Sequence, residues 1–539
     1  MSPVKNIIAV VGGGSVATSF IRQLAQQARQ DGGADIAELV VFEPREQPGA
    51  GDAYQDDTPS NLLNTRAAGM SALHSDPNHF FRWAAHHEAE WRDAFPEVVL
   101  KGDSFLPRAL FGRYMQHVYD EAVEMLGRLG VSVRHVRAGV TSMRRVEDRY
   151  ELLTLTEGTY RADQVVLALG NQESTAFDHL RPYEGYFSSP YPCTKLSSGI
   201  DRRKPVCIIG SSLSAIDAAV SLADAGHRGK IVMVSRNGRL PSVRGEHNRS
   251  HKPRLLSRER VEALARQRGG RLRLREVGEL LLRELERCEG APADLTEILQ
   301  PGQGPHRYID AEIEVASARD RTWQSIVYSL NDAIDLIWHY LPNEDRRIFE
   351  RDFKSQWLSY RVSFPLCNAR KIQQLLHTDQ LSVYRGCADV SFVPANEHFA
   401  ISVLDQRKAF SATIYADYVV NATGCTTDVT QCRSPLLRGM LASGLARAHE
   451  FGGIEVDFAS SQVLTRQGQT LPGLYALGSM VSGTYFWTNA MNVNCRLAAG
   501  VARGVLSRAQ SAHATLHDVA PQPQPRPAAA ASPWRLQTA

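Results

Sequence analysis

No two cysteines of this sequence form a C-x-x-C pair. The eight that occur, Cys193, Cys207, Cys288, Cys367, Cys387, Cys425, Cys432 and Cys495, are scattered, and none stands near a histidine at zinc-ligand spacing. This excludes a disulfide reductase, which needs paired redox thiols, and predicts reduced thiols in a cytoplasmic protein with no resident metal. His86, His87, His247 and His251 likewise have no cysteine or carboxylate at ligand spacing and read as surface or loop histidines. A nucleophile elbow is also missing. Gly210-Ser211-Ser212-Leu213-Ser214 lacks the second glycine of G-x-S-x-G, which argues against a serine hydrolase. No apolar run approaches the ~18 residues that cross a bilayer. Ile7 to Val11 is only strand-length before it meets glycines, so neither a membrane span nor a secretory leader is expected. A formal charge of +3 over 539 residues is too small for a general nucleic-acid binder.

What is present is ordinary globular material, 43% hydrophobic and 22% charged, long enough for two or three domains. Two segments open as strand, tight turn and helix: Ile7 to Ala28 and Pro205 to Gly226. After the first turn Val16, Phe20, Ile21, Leu24 and Ala28 share one helical face. After the second, Leu213, Ile216, Ala219, Val220 and Ala223 do the same. Each is half of a βαβ unit, so the expected fold class is α/β with two Rossmann-like dinucleotide-binding domains. Between about 245 and 360 the sequence turns charge-rich and helical, and we read an insertion. The basic tract Arg254 to Arg275 within it reads as a solvated helix face. The expected division is 1–180 for the first part of an FAD domain and 181–428 for an NADPH domain carrying the insertion. Residues 429–510 are then a return to the FAD domain, and 511–539 a disordered tail.

The first turn, Gly12-Gly13-Gly14-Ser15-Val16-Ala17, is G-x-G-x-x-A. Gly12 permits the turn, Gly14 and Ser15 bring backbone amides to a pyrophosphate at the helix N-terminus, and small Ala17 lets helix and strand pack closely. Glu43 ends the next strand, where a carboxylate binds the adenosine ribose hydroxyls of FAD. The second turn, Gly210-Ser211-Ser212-Leu213-Ser214-Ala215, has Ser212 in place of the middle glycine. Its next strand ends in Ser235-Arg236 rather than in an acid. Arg236, with Arg239 behind it, suits the 2′-phosphate of NADPH; a solvated arginine is the competing reading. Gly210, Ser212 and Ser214 are the other candidate contacts. Two similar strands, ADQVVLALGN and ADYVVNATGC, close at Gly170 and Gly424, where the chain passes between the nucleotide domains. A further strand ends at Gly478 ahead of a helix whose N-terminus can supply amides to a flavin ring.

The order of these motifs resembles the two-dinucleotide-binding-domain flavoproteins. Gly49 to Ser71, Phe105 to Val118 and Ile208 to Ala219 are similar to bacterial FAD/NAD(P)-binding proteins. More distantly, the chain resembles N-hydroxylating flavin monooxygenases acting on aspartate, ornithine and lysine. That resemblance implies Gly49, Gly51, Asn61 and Asn64 in a loop against the flavin. It also places Arg108, with Phe111 and Tyr114, near the edge of the FAD domain. It implies that NADPH reduces FAD, which activates molecular oxygen as a C4a-hydroperoxide to hydroxylate the nitrogen of an amino acid or small amine. The candidate catalytic residues are Arg108, as a carboxylate anchor, Asn64 and Asn489. The missing middle glycine keeps two alternatives open: a dehydrogenase or oxidase without nicotinamide use, and a non-catalytic flavoprotein.

Overall fold

In the computed structural model, residues 6–293, 295, 303–405 and 409–517 are described. The architecture follows from the two apolar runs. β1 (Asn6–Val11) is buried along nearly its whole length, and helix α1 (Ser15–Gln30) returns over it. Phe20, Ile21, Leu24 and Ala28 of α1 have no exposed surface, as the helical period requires. By large-to-small arithmetic, Phe20→Ala would cost about 3–5 kcal/mol.

β1 is central to a six-stranded sheet of order β16–β17–β7–β1–β2–β3, built from β2 (Ile36–Phe42), β3 (Ser132–Val136), β7 (Gln164–Leu167), β16 (Gln462–Leu464) and β17 (Thr470–Ala476). Every pairing is parallel except β16 with β17. Thus the chain returns after residue 429 to complete its first sheet. Val429, Leu436 and Leu437 join the core on one face of that sheet, and the Met491–His517 helix lies beside α1 on the other. The helix runs to His517, beyond the expected limit of 510. Residues 518–539 of the expected tail lie outside the described residues.

The second sheet has the order β11–β10–β9–β15–β8 and is wholly parallel. Its strands are β8 (Tyr186–Phe187), β9 (Val206–Ile209), β10 (Ile231–Ser235), β11 (Leu381–Arg385) and β15 (Tyr418–Asn421). Two three-stranded antiparallel sheets, residues 140–162 and 387–416, flank the parallel pair. Between β10 and β11 the chain makes the helical insertion. Within it the helices Thr322–Ser329 and Ile334–Tyr340 are separated by a tighter turn at Leu330–Asp332. The break turns Asn331 toward Arg361 and Asn492. In the basic tract every arginine but Arg258 is exposed, as a solvated helix face requires, and some also pair: Arg258 with Asp335, Arg268 with Glu276, Arg273 with Asp345 and Arg275 with Glu279.

The two chain passes between the sheets are zipped together by antiparallel bridges, Gln172 to Thr426 and Ser174 to Cys432. Among the described residues no helix is long and apolar enough to cross a membrane.

Candidate functional site: two dinucleotide cradles and the seam between them

The first cradle is the β1–α1 turn. Gly12 has φ +99°, and a Cβ on it would stand 2.3 Å from the carbonyl oxygen of Ala168, just past β7. Only glycine fits this approach. Gly14 is different: its backbone is extended (φ −78°, ψ −169°), which any residue adopts, but its open face meets Gly51 Cα at 3.3 Å. Gly51 itself has φ +61°, and Gly49 donates its amide to the Gly13 carbonyl at 2.7 Å. The Gly49–Gly51 loop therefore lies directly on the turn. No side chain caps α1, so its first amides are free for an anion, and Ser15 lies in that first turn. Ala17 is fully buried against the sheet. Glu43 is buried at the end of β2, accepting from the Gly13 amide at 3.0 Å and from Arg45. An uncapped helix end, two glycine approaches and one buried carboxylate fit the pyrophosphate and ribose of a dinucleotide.

The second cradle repeats this plan. Gly210 has φ +127°, and a Cβ there would stand 2.5 Å from the Ala422 carbonyl oxygen. Ala168 and Ala422 belong to the two closing sequences, which explains why both end in small residues. Gly170 (φ +66°) and Gly424 (φ +83°), just beyond, are exposed, and a Cβ on either would meet nothing within 4 Å. Ser212 occupies the place of Gly14 with nearly the same backbone, φ −95° and ψ −164°, and also leaves its helix, Leu213–Asp224, uncapped. It is exposed rather than pressed against a second loop. The missing middle glycine therefore causes no backbone strain. Ser211 and Ser235 hydrogen-bond at 2.8 Å, tying the turn to the end of β10, and Arg236 and Arg239 stand exposed just beyond.

The seam between the sheets is polar and tightly connected. Arg108 begins the Arg108–Arg128 helix; its Nη2 lies 2.8 Å from Asp217 Oδ2 on the Leu213–Asp224 helix. Tyr191 donates to the same oxygen at 2.6 Å and accepts from Arg108 at 2.9 Å, and it also lies 3.4 Å from Ser214 Oγ. Burial works against the Arg108 charge, but Asp217 and Tyr191 outweigh it and hold its pKa above the usual range. The guanidinium of Arg108 is thus engaged within the protein, at the domain edge. Asp57 accepts from the amides of Cys193 and Thr194, and Ser221 reaches Asn61. Asn61 is buried in this seam, whereas Asn64 is half-buried and among the described residues accepts a hydrogen bond from the Thr65 hydroxyl.

The third component is the segment from Gly478 to Asn494. Gly478 (φ +83°) packs on Val16 of α1, and Ser479 donates to the Gly170 carbonyl. Ser482 Oγ, Thr484 Oγ1, Thr488 Oγ1 and Asn494 Oδ1 are buried without hydrogen-bond partners among the described residues. Such orphans are uncommon in a folded core, and a bound polar ring would satisfy them. Phe486 has φ +62° and ψ −61°, a strained γ-turn closed by the Trp487 amide on the Tyr485 carbonyl at 2.7 Å. Trp338 stacks on Phe486 at 4.7 Å and Phe349 meets it edge-on at 5.4 Å, holding the strain in place. Asn489 lies exposed beside this turn.

Sequence spacing gave no metal-ligand set, yet the fold gathers His251, Glu284 and Cys288 within ligand reach of one another. The Glu284 carboxylate is already taken: Arg254 and Leu255 amides donate to Oε2, and Arg287 and His251 approach Oε1. The cluster is an ion-pair knot inside the insertion. Sequence reasoning also missed Asp217, Tyr191, Phe486, and a trio of Arg244, Tyr328 and Arg361; no motif marks them, because their partners are distant in sequence.

Residues 9–172 match the family model described as FAD-NAD(P)-binding. Over 94% of its length the chain has the fold of two-dinucleotide-domain flavoproteins. An ornithine N-hydroxylase of a Kutzneria species, solved with reduced FAD, NADP+ and L-ornithine, is 13% identical. The match has a TM-score of 0.55 over 94% of this chain and 99% of that one. L-lysine 6-monooxygenase of Pseudomonas syringae is 15% identical with a TM-score of 0.56 over 94% and 99%. An FAD-bound cadaverine monooxygenase of Erwinia amylovora is 13% identical with a TM-score of 0.56 over 94% and 95%. No curated protein sequence matches the chain.

Proposed function

We propose that the chain is an FAD-dependent, NADPH-using monooxygenase that hydroxylates a nitrogen of an amine substrate. The observation that carries the reading is the pair of uncapped helix ends, at Gly14 and Ser212, on two parallel sheets joined by one seam. The likeness in fold to ornithine, lysine and cadaverine hydroxylases supports it. Bound FAD supplies the redox chemistry, accepting hydride from NADPH and passing electrons to oxygen. The chain's own residues bind and orient. Gly12, Gly14 and the α1 amides hold the FAD pyrophosphate, and Glu43 takes the ribose. Gly210, Ser212 and Ser214 hold NADPH, with Arg236 on its 2′-phosphate. Thr484, Thr488 and Asn494 face the flavin ring. Arg108 positions one nucleotide domain on the other through Asp217.

The reading without nicotinamide use rested on Ser212. The Ser212 backbone matches that of Gly14, and its hydroxyl can itself donate to a phosphate, so the serine does not favour that reading. Anaerobic stopped-flow is the test: NADPH should bleach the flavin absorbance in a saturable step. A flavin that stays oxidised would leave the oxidase or dehydrogenase alternative.

A further inference from the structure

Where the insertion meets the flavin-facing segment, two arginines converge on one ring. The guanidinium carbon of Arg244 lies 3.5 Å from the Tyr328 ring centroid and that of Arg361 lies 4.1 Å from it. Arg361 also stacks at 4.8 Å on Trp487, the residue after the strained Phe486. Arg361 is only 4% exposed, and Arg244 is half-buried. Nε of Arg361, and both Nε and Nη1 of Arg244, are buried with no hydrogen-bond partner among the described residues. Arg361 donates only to neutral groups, such as Asn331 Oδ1 at 2.6 Å. Neither arginine forms an ion pair with a carboxylate among the described residues; Asp335 of the insertion is taken by Arg258 and Arg496.

Buried cations without a counter-charge are strongly disfavoured, so proteins keep them paired or use them to bind an anion. Tyr328 is the acidic group in direct contact with both, while Asp103 and Asp320 act on the neighbouring Arg66. Burial raises the pKa of Tyr328, but Arg244 and Arg361 more than reverse this and hold the phenol below its ordinary range. Even a Tyr328 phenolate would neutralise one arginine of the two. A third cation, Arg66, stands close enough to disfavour further charge, its own head occupied by the carbonyls of Gly245, Glu246 and Asn248.

Resting on the proposed function, we infer that Arg244 and Arg361, flanked by Tyr328 and Trp487, recognise a doubly charged anionic group on the substrate. A phosphate monoester or a dicarboxylate terminus has that charge. The planar guanidinium forks suit its oxygens, and Trp487 places the rest of the molecule toward the flavin-facing turn.

The test is thermal unfolding of the purified full chain with sodium phosphate, sodium malonate or sodium chloride at matched ionic strength near neutral pH. Phosphate or malonate should raise Tm saturably where chloride does not, and the one that binds more tightly identifies the class of head group. Arg244→Gln and Arg361→Gln should weaken that binding at least tenfold. Without added anion, Arg361→Gln should melt at or above the wild-type temperature, because it removes an uncompensated charge. The inference is overturned if no dianion acts beyond chloride, or if Arg361→Gln melts lower and keeps the anion response. It is also overturned if Arg236→Ala loses the response while Arg361→Gln retains it, which would locate the anion at the second cradle. Failure of NADPH to bleach the flavin would sink the proposed function and leave these melting results readable by themselves.

Discussion

Arg108 of the first nucleotide domain and Asp217 of the second form a buried ion pair at 2.8 Å, and Tyr191 bonds to both. Removing one partner leaves the other charged and desolvated, which typically costs about 3–5 kcal/mol. We therefore expect Arg108→Met and Asp217→Leu each to lower Tm markedly. The double variant should recover part of the loss, because it buries no lone charge. A double-mutant cycle by denaturant unfolding checks this. Strictly additive losses would show that the pair does not act as a unit.

Gly14→Glu should yield protein without bound FAD. The new side chain meets Gly51 and brings negative charge to the amides that receive the pyrophosphate. Ser212→Gly, by contrast, should still bind NADPH, weakened only by the loss of one hydroxyl contact, about 0.5–1.5 kcal/mol or roughly two- to tenfold, since the two backbones already match. Absorbance of the purified variants near the flavin bands reads the first, and fluorescence titration with NADPH the second. A Gly14→Glu protein retaining one flavin per chain would remove the first cradle from the account.

Arg236 stands exposed at the end of β10, one residue beyond Ser235, which ties that strand to the second turn. Its contact with a 2′-phosphate is expected to contribute about 1.5–3 kcal/mol, a factor of roughly ten to a hundred in preference for NADPH over NADH. Arg236→Ala should erase most of that preference without changing the rate with NADH. Equal flavin reduction by both nucleotides in the wild type would contradict this assignment.

Burial lowers the pKa of His74, His79, His227, His339 and His449 below the ordinary histidine value of 6.5. For such groups the unfolded chain binds more protons, so stability is full above pH 6.5 and falls as pH drops through the folded values. Tm should therefore begin to fall below about pH 6.5, before the carboxylates titrate. His227, buried with neither ring nitrogen hydrogen-bonded among the described residues, should carry part of that slope. The melting temperature of His227→Gln across pH 5 to 7.5 (about the range a histidine titrates in) should vary less steeply than wild type. An unchanged slope would place the effect elsewhere.

Much of the fold was legible because strand-turn-helix signals are local. Gly12 and Gly210 announce turns whose requirement is backbone geometry, and the apolar period of α1 marks its buried face. The paired endings near Gly170 and Gly424 were readable as crossings, though the reason for their small residues emerged only with the carbonyls of Ala168 and Ala422 packed on Gly12 and Gly210. The site was less legible where function is assembled from distant segments. Arg108 reads as a free anchor in sequence because Asp217 is far along the chain. Arg244, Tyr328 and Arg361 lie on three different parts of the insertion and share no spacing. Asn331, in the turn between Thr322–Ser329 and Ile334–Tyr340, serves two tertiary partners, Arg361 and Asn492, that its local sequence does not announce.

The central claim is oxygen transfer to a nitrogen. An attacking amine must be unprotonated, since an ammonium has no lone pair, so turnover should rise with pH until the substrate is neutral. The most direct measurement supplies NADPH, isotopically labelled oxygen gas and candidate amines, including those with phosphate or dicarboxylate groups, and follows the products by mass spectrometry. The account predicts a hydroxylamine, or an oxime or nitroso compound derived from it, carrying one labelled oxygen atom on nitrogen. Turnover that oxidises the substrate with no label incorporated would contradict it and leave a dehydrogenase or oxidase in its place.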